Sequence, residues 1–173
     1  MEDLKKSIRQ VPDFPKEGIL FYDITTLLSE PAAFQRVVDH LAERYEKNKP
    51  DRLVAIDARG FIFGGALSYV LGVGLTPVRK KGKLPWETVT ASYELEYGLD
   101  EVEMHRDQVC SGERVVVIDD LLATGGTARA VAELVKQCGG EVMEYAFLIE
   151  LDFLNGREKL GGFPVYSILH YSE

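Results

Sequence analysis

Two carboxylates stand where a wholly apolar run meets a glycine-rich turn, and this junction constrains the chain more than any other feature. Residues 115–127 read VVVIDDLLATGGT. Val115 to Ile118 have the uninterrupted branched character of a central parallel strand buried on both faces. Gly125, Gly126 and Thr127 then open an apolar-periodic stretch through Val131, Leu134 and Val135, as the start of a helix does. Strand, turn and helix are contiguous, so the backbone N–H groups of Ala123 to Thr127 have no partners within the helix. Together with the positive helix end and the Thr124 and Thr127 hydroxyls, they make a site for a phosphate dianion. Asp119 and Asp120 repel such a group, but they accept hydrogen bonds from vicinal ribose hydroxyls. A sugar phosphate satisfies both halves of the junction. One glycine-rich turn is weak evidence, because a tight turn capped by threonine has the same pattern; thirteen connected positions are far more specific. Neither G-x-x-x-x-G-K-[ST] nor G-x-G-x-x-G follows a strand, which excludes a Walker site and a dinucleotide fingerprint.

The rest of the pattern is α/β. A helical stripe runs from Phe34 through Val37, Val38, Leu41, Ala42 and Tyr45 and ends near Asn48 and Pro50. Leu53 to Ile56 read as a short buried strand, Gly64 to Leu71 as a small-residue helix closed by Gly72 and Gly74, and Leu75 to Val78 as a second strand. Residues 88–97 alternate strictly, with Val89, Ala91, Tyr93, Leu95 and Tyr97 on one face. A turn at Gly98 to Asp100 and a return through Val102 and Met104 make residues 79–108 a flexible β-ribbon expected to project from the sheet. Later strands are expected over 142–149 and 165–171. A chain of 173 residues buries one substantial core and is short for two, so a single domain is expected.

Charge narrows the class of partner. The formal net charge of −8 argues against nonspecific binding to nucleic acid or to an anionic membrane. The positive charge is clustered instead: Arg79, Lys80, Lys81 and Lys83 fall within RKKGKLP, at the carboxyl end of a predicted strand, where α/β sites collect. Gly82 and Pro85 bracket a stretch able to close on an anion, which makes Arg79, Lys80 and Lys83 candidate ligands ahead of Lys81. In DARGFIFG, Asp57 lies at a strand end, and Arg59-Gly60 turns into the next helix, a second place for backbone donors and a cation to meet an anion. Cys110 and Cys138 lack metal or redox spacing and read as reduced thiols. The amino terminus is charged throughout and no apolar run reaches membrane-spanning length, so a cytoplasmic protein is expected. His40, His105 and His170 have no Ser or Cys partner at motif spacing.

VVVIDDLLATGGT resembles the phosphoribosyl pyrophosphate signature of the type I phosphoribosyltransferases, in the form carried by members that act on adenine. FPKEGILFYDIT (14–25), DARGFIFG (57–64), RKKGKLP (79–85), YELEYG (93–98) and GREKL (156–160) resemble further segments of that family in the same order, so the likeness spans nearly the whole chain. It implies a mostly parallel central sheet flanked by helices, with a base-binding hood over residues 1–30 and the 79–108 ribbon closing over a crevice. It further implies transfer of the 5-phosphoribosyl group from phosphoribosyl pyrophosphate to N9 of adenine, giving AMP and pyrophosphate. Asp119, Asp120, Ala123, Thr124, Gly125, Gly126 and Thr127 are then the ribose 5-phosphate site. Ala58, Arg59 and Gly60 join Arg79, Lys80 and Lys83 on the pyrophosphate.

By the same resemblance, backbone groups near Leu20 and Tyr22 bond the base while Phe21 and Leu121 sandwich its ring. Glu96 is placed near the purine imidazole, where a carboxylate can accept from N7–H; the alternative is a solvent-facing strand glutamate. With Asp119 and Asp120, Glu96 completes the catalytic set. Mg²⁺ is the implied cofactor, held mainly by substrate oxygens and water with no direct protein ligand, and a homodimer is the implied assembly. A phosphoribosyltransferase for hypoxanthine, guanine or xanthine shares the 115–127 signature, but the hood and YELEYG speak against it. A nucleic-acid-binding regulator that keeps the sugar-phosphate site needs a basic reading module, which this acidic chain lacks.

Overall fold

Leu53 to Ile56 and Val115 to Ile118 lie side by side at the centre of one sheet, covered on both faces. In the computed structural model, which describes residues 1–95 and 98–172, the chain forms β1 (Arg9–Pro12), β2 (Leu20–Asp23), α1 (Thr25–Ser29), α2 (Pro31–Glu46), β3 (Arg52–Ile56), α3 (Gly60–Leu71), β4 (Gly74–Lys80), β5 (Thr88–Leu95), β6 (Gly98–His105), β7 (Arg114–Leu122), α4 (Gly126–Gln137), β8 (Glu141–Leu151) and β9 (Val165–Tyr171). Short 3-10 turns cover Glu2–Ser7, Asp152–Leu154 and Gly156–Leu160.

The main sheet has the order β5-β6-β4-β3-β7-β8-β9, and its pairs from β4 to β9 are parallel. Alternation along each strand divides the core. On one face, Leu53, Ala55, Val116 and Ile118 pack with Val37 and Leu41 of α2 and Phe63 and Leu67 of α3. On the other, Val54, Ile56, Val115 and Val117 pack with Val131, Leu134 and Val135 of α4. From β3 the chain crosses to β4 on one side and later to β7 on the other, so the strand order reverses between β3 and β7. Their carboxyl ends therefore open together at a topological switch point, where α/β proteins bind ligands.

Two local expectations change and a third gains detail. Arg79 and Lys80 belong to β4 itself, because they pair with Glu103 and Val102 of β6. Gly98 to Asp100 are strand residues, since Leu95↔Gly98, Glu94↔Leu99 and Tyr93↔Asp100 continue the β5–β6 register. The ribbon joins the sheet only at its base, where Arg79 and Lys80 of β4 pair with Glu103 and Val102 of β6, and beyond that base it leans on α4, with Val89, Ala91 and Tyr93 partly buried against the core. Those apolar side chains could not have remained in water without losing roughly 25 cal/mol per Å² of buried area. At the amino terminus β1 and β2 form a separate antiparallel hairpin.

Candidate active site

β7 runs longer than its apolar run, because Asp119, Leu121 and Leu122 continue to pair with Phe147, Ile149 and Glu150 of β8. The two carboxylates therefore sit on a strand and not in a loop. Asp120 is only 3% exposed, and its Oδ2 lies 2.9 Å from Arg59 Nε. Asp119 Oδ1 accepts from the backbone N–H of Asp120 at 2.9 Å. Burial raises both carboxyls above the ordinary carboxylate range; the Asp120 charge pushes Asp119 further, whereas the Arg59 guanidinium pulls Asp120 back. Two buried acids flanked by one cation form a concentrated acceptor site at the switch point.

The turn after β7 is shaped by a glycine contact. Gly125 has φ 78°, a left-handed conformation, and a Cβ there would overlap the carbonyl oxygen of Gly156. A Cβ on Gly156 would in turn overlap the carbonyl of Ala123. Two segments 31 positions apart by number thus interlock backbone to backbone, and the turn bounds a cavity of about 90 Å³ floored by Asp119 and Leu121 and walled by residues 123–127. The start of α4 has no side-chain cap, so its first N–H groups lack helix partners beside that cavity, as an anion site requires.

A second turn, Asp57 to Arg59, enters α3 beside the first. A Cβ on Gly60 would come within 2.8 Å of Ile118 O and 2.9 Å of Asp119 Oδ1. Only glycine lets α3 begin against the end of β7, and this close approach sets the two turns across one crevice. The Asp57–Ala58 peptide is cis. Asp57 Oδ2 is 3.0 Å from Arg79 Nε, and Arg79 Nη1 donates to Lys83 O at 3.3 Å. Lys80 pairs with Asp100 at 3.0 Å and Lys81 with Glu101 at 2.7 Å. The Lys83 ammonium has no ion-pair partner among the described residues, whereas its backbone N–H is held.

That backbone is anchored by a residue the sequence reading did not single out. Glu103, 4% exposed, takes the N–H of Lys83 at 2.9 Å and of Leu84 at 2.8 Å on one carboxylate oxygen. Burial acts to raise its pKa, but the N–H donors of Leu84, Gly82 and Lys83 outweigh it and the net shift is downward. Asp57, Asp100 and Gly156 were named only as a strand end, a turn residue and part of GREKL; their contacts with Arg79, Lys80 and Gly125 were missed. Glu103 could have been flagged as an acid on an alternating strand that returns past a basic loop; the others depend on pairings between distant segments.

On the base side, Phe21 is half-buried, meets Phe14 edge to face at 5.1 Å and lies 5.5 Å from the Arg59 guanidinium carbon. Arg59 therefore links the hood hairpin, the 57–60 turn and the carboxylate pair. Leu20 is exposed, and Leu121 is partly buried at the crevice floor. Tyr22, by contrast, turns its ring into the core: it is 5% exposed and meets Tyr171 in a tilted arrangement with ring centroids 4.1 Å apart, so it offers the crevice only its backbone. Glu96 lies outside the described residues. Ala123, Thr124 and Thr127 line the phosphate cavity, and Ala58 is exposed on the opposing turn. His40 bonds the Tyr166 hydroxyl and His170 pairs with Asp152, both away from the crevice. Glu150, Asp152 and His170 converge, but Arg157 and Ser167 already occupy Glu150.

Comparison with known proteins agrees with this geometry. The family model for the phosphoribosyl transferase domain matches residues 23–160. The adenine phosphoribosyltransferase of Syntrophotalea carbinolica is 58% identical over 171 residues, covering 99% of this chain and all of that protein. That of Solibacter usitatus is 56% identical over 173 residues and covers both chains completely. The crystal structure of the Thermoanaerobacter pseudethanolicus enzyme superposes with a TM-score of 0.95 at 52% identity, covering 98% and 99% of the two chains. The Saccharomyces cerevisiae enzyme, solved with an imino-altritol bisphosphate and adenine, gives 0.91 at 46% identity over 96% and 97%. A family model spanning most of the chain, relatives of more than half identity at full length and a shared fold leave one conclusion: the chain belongs to the type I phosphoribosyltransferase family, among its adenine phosphoribosyltransferases.

Proposed function

We propose that this chain carries out purine salvage by transferring the 5-phosphoribosyl group of phosphoribosyl pyrophosphate to N9 of adenine, releasing AMP and pyrophosphate. The observation that carries the reading is the pair of anion-binding turns on adjacent parallel strands, held together by Gly60 with Asp119 and Asp120 between them. In this proposal residues 123–127 cradle the 5-phosphate, and Asp119 and Asp120 accept from the ribose hydroxyls. The Ala58 to Gly60 turn, Arg79, Lys80 and Lys83 take the pyrophosphate, while Arg59 also orients Asp120. The hood, residues 1–30, presents the Leu20 and Tyr22 backbone to the base and sets Phe21 and Leu121 on its two faces. The ribbon, residues 79–108, covers the crevice and brings Glu96 to N7–H.

Catalysis then comes from holding N9 in line with C1 and from charge. As the C1–O bond to pyrophosphate breaks, the ribose gains cationic character, which the buried carboxylate pair stabilises, and the basic residues stabilise the departing pyrophosphate. Mg²⁺ fits this donor set. Asp120 Oδ2 is taken by Arg59 and Asp119 Oδ1 by a backbone N–H, so the remaining carboxylate oxygens suit contact through water, with substrate oxygens as ligands. When bound, the metal neutralises pyrophosphate charge. We include a homodimer in the proposal, supported by the apolar surface of α3, where Tyr69 is 88% exposed beside Val70. A cytoplasmic location is supported by two free cysteines, and no helix is long and apolar enough to cross a membrane among the described residues.

The test is direct. With phosphoribosyl pyrophosphate and Mg²⁺, adenine should yield AMP, while guanine, hypoxanthine, xanthine and orotate should yield little nucleotide. Faster turnover of another base overturns the base assignment and leaves the sugar-phosphate site standing; no turnover of any base overturns both. Glu96→Gln should keep much of the activity and Glu96→Leu should not, if the carboxylate orients the base. Full activity in Glu96→Leu removes it from the site.

A further inference from the structure

The phosphate turn takes its shape from Gly156, and Gly156 is held by a pair of residues that the roles above leave unused. Gly156 opens the turn Gly156–Leu160 and is followed at once by Arg157. Arg157 Nε donates to Glu150 Oε1 at 2.5 Å, Nη2 to Glu150 Oε2 at 2.7 Å, and Nη1 to Val165 O at 3.1 Å. Every guanidinium nitrogen is thus engaged within the protein, and the fork grips a carboxylate and not the crevice. Glu150 is 3% exposed and also takes the Ser167 hydroxyl at 2.5 Å. Strand register puts Glu150 opposite Leu122, the last residue of β7, and opposite His170 of β9. The clamp therefore joins β8, the entry to β9 and the Gly156 turn at the level where β7 ends. From there the contact passes to the phosphate turn through backbone: Gly156 lies against the Ala123 carbonyl, and its own carbonyl lies against Gly125.

We propose that Arg157 and Glu150 are positioning residues of the 5-phosphate subsite: their bidentate ion pair holds Gly156 where it forces residues 123–125 into the conformation that presents the N–H groups at the start of α4. The inference rests on the assignment of residues 123–127 to the 5-phosphate made above. A buried ion pair adds little net stability over neutral groups of the same size, because desolvation offsets its attraction, so what it contributes is geometry. A planar two-point fork fixes both distance and angle, which a single contact does not. Gly125, at φ 78°, has many other conformations open to it as a glycine, so its shape must be imposed from outside, and Gly156 is what imposes it. Without the clamp the Gly156 turn relaxes and the donors of the phosphate turn lose their convergence. The 57–60 turn is carried by β3 and α3 and depends on Gly60 instead, so pyrophosphate binding stays independent of the clamp.

The experiment compares Arg157→Met with the double variant Glu150→Gln, Arg157→Met in the full chain, by calorimetric titration of ribose 5-phosphate and of Mg²⁺-pyrophosphate and by a melting curve for each protein. Arg157→Met leaves the buried Glu150 carboxylate without its cation, so its melting temperature should fall. The double variant removes both charges, keeps the net charge of the chain and should recover most of that melting temperature. It should nevertheless bind ribose 5-phosphate roughly tenfold more weakly, about the worth of one hydrogen bond to a charged group, with pyrophosphate affinity changed less than about twofold. Arg157→Lys keeps the charge and loses the fork, so it should melt near the parent and bind ribose 5-phosphate with an affinity between the parent and the double variant. Recovery of ribose 5-phosphate affinity together with melting temperature overturns the positioning role, as does parental affinity in Arg157→Lys or an equal fall for both ligands. Gly126→Val separates the levels: weaker ribose 5-phosphate binding there upholds the phosphate subsite whatever the clamp does. Unchanged binding in Gly126→Val overturns that subsite and the clamp's role with it.

Discussion

The turn after β7 and the hairpin leaning on it face the same crevice, yet they are built from opposite materials. The turn is made of backbone: its shape comes from Gly125 and Gly156 meeting without side chains, and its acids are buried on a paired strand. The hairpin and the end of β4 that pairs with it are made of side chains: Arg79, Lys80 and Lys81 are half-buried to exposed and individually tethered to Asp57, Asp100 and Glu101. A backbone cradle needs no rotamer ordering when a ligand arrives, whereas each tethered lysine must exchange one partner for another. The comparison teaches that affinity should reside in the turn and adjustability in the hairpin, so damage should be severe in the first and graded in the second.

Gly125→Ala should produce the largest effect. The new Cβ overlaps Gly156 O and the left-handed backbone adds roughly 1–3 kcal/mol of strain, so melting temperature and AMP affinity should fall together, the latter on the order of 100-fold. Gly126→Val sharpens the point, since a Cβ there meets only ordinary contacts at 3.7 Å. That variant should fold normally and lose phosphate binding alone. A Gly125→Ala protein with normal stability and AMP affinity breaks the comparison at its root.

Next in size is Asp119→Asn. The rate constant kcat should fall about 100-fold, because an electrostatic group facing the developing cation is removed. Stability should move the other way. Burial and the Asp120 charge raise the Asp119 pKa above its ordinary 3.8, so the folded chain keeps this proton to higher pH than the unfolded chain does. The penalty for burying the charge is absent below about 3.8 and complete above the folded pKa. The variant should therefore melt higher than the parent at pH 7 and not at pH 4; paired thermal scans at the two values check the sign.

In the hairpin, Glu103→Gln should act on pyrophosphate more than on adenine. The amide offers one neutral acceptor where a carboxylate held the Lys83 and Leu84 N–H groups, so KM for phosphoribosyl pyrophosphate should rise roughly three- to tenfold with little change in KM for adenine. Because the Glu103 pKa is lowered in the folded chain, its contribution is present above the ordinary 4.5 and disappears as pH falls through the folded value. An equal rise in both KM values would mean general unfolding of the edge. The smallest effect belongs to Lys81→Ala: its pair with Glu101 is exposed on both sides, and steady-state constants should change by less than about twofold.

Much of the fold was legible because it is local. Strand β7, helix α4 and the βαβ unit from β3 to β4 follow from apolar period and glycine position, signals carried within about a dozen residues. The hairpin was legible as two strands, but its turn was misplaced: Gly98 looks like a turn residue, and only pairing with Leu95 reveals it as the first residue of β6. Phe21 and Tyr22 show the same limit from the other side. Alternation sends neighbouring side chains to opposite faces, but which face meets the crevice and which meets Tyr171 depends on where the hood hairpin lands.

The sequence by itself determined that a sugar-phosphate turn exists, that a second anion turn and a basic strand end accompany it, and that all belong to a parallel α/β sheet. Those properties are written in contiguous residues, because unpaired N–H groups, strand ends and charge clusters are local chemistry. Tertiary structure alone decided the pairings: Arg59 with Asp120, Lys80 with Asp100, the Lys83 and Leu84 backbone with Glu103, and Gly125 against Gly156. It also decided how deeply the carboxylate pair is buried, and hence how far its protons are held. The reason is that a charge's partner and its solvent are both set by strand order, which brings residues from about 20 to about 60 positions apart into contact and has no signature in either segment read alone.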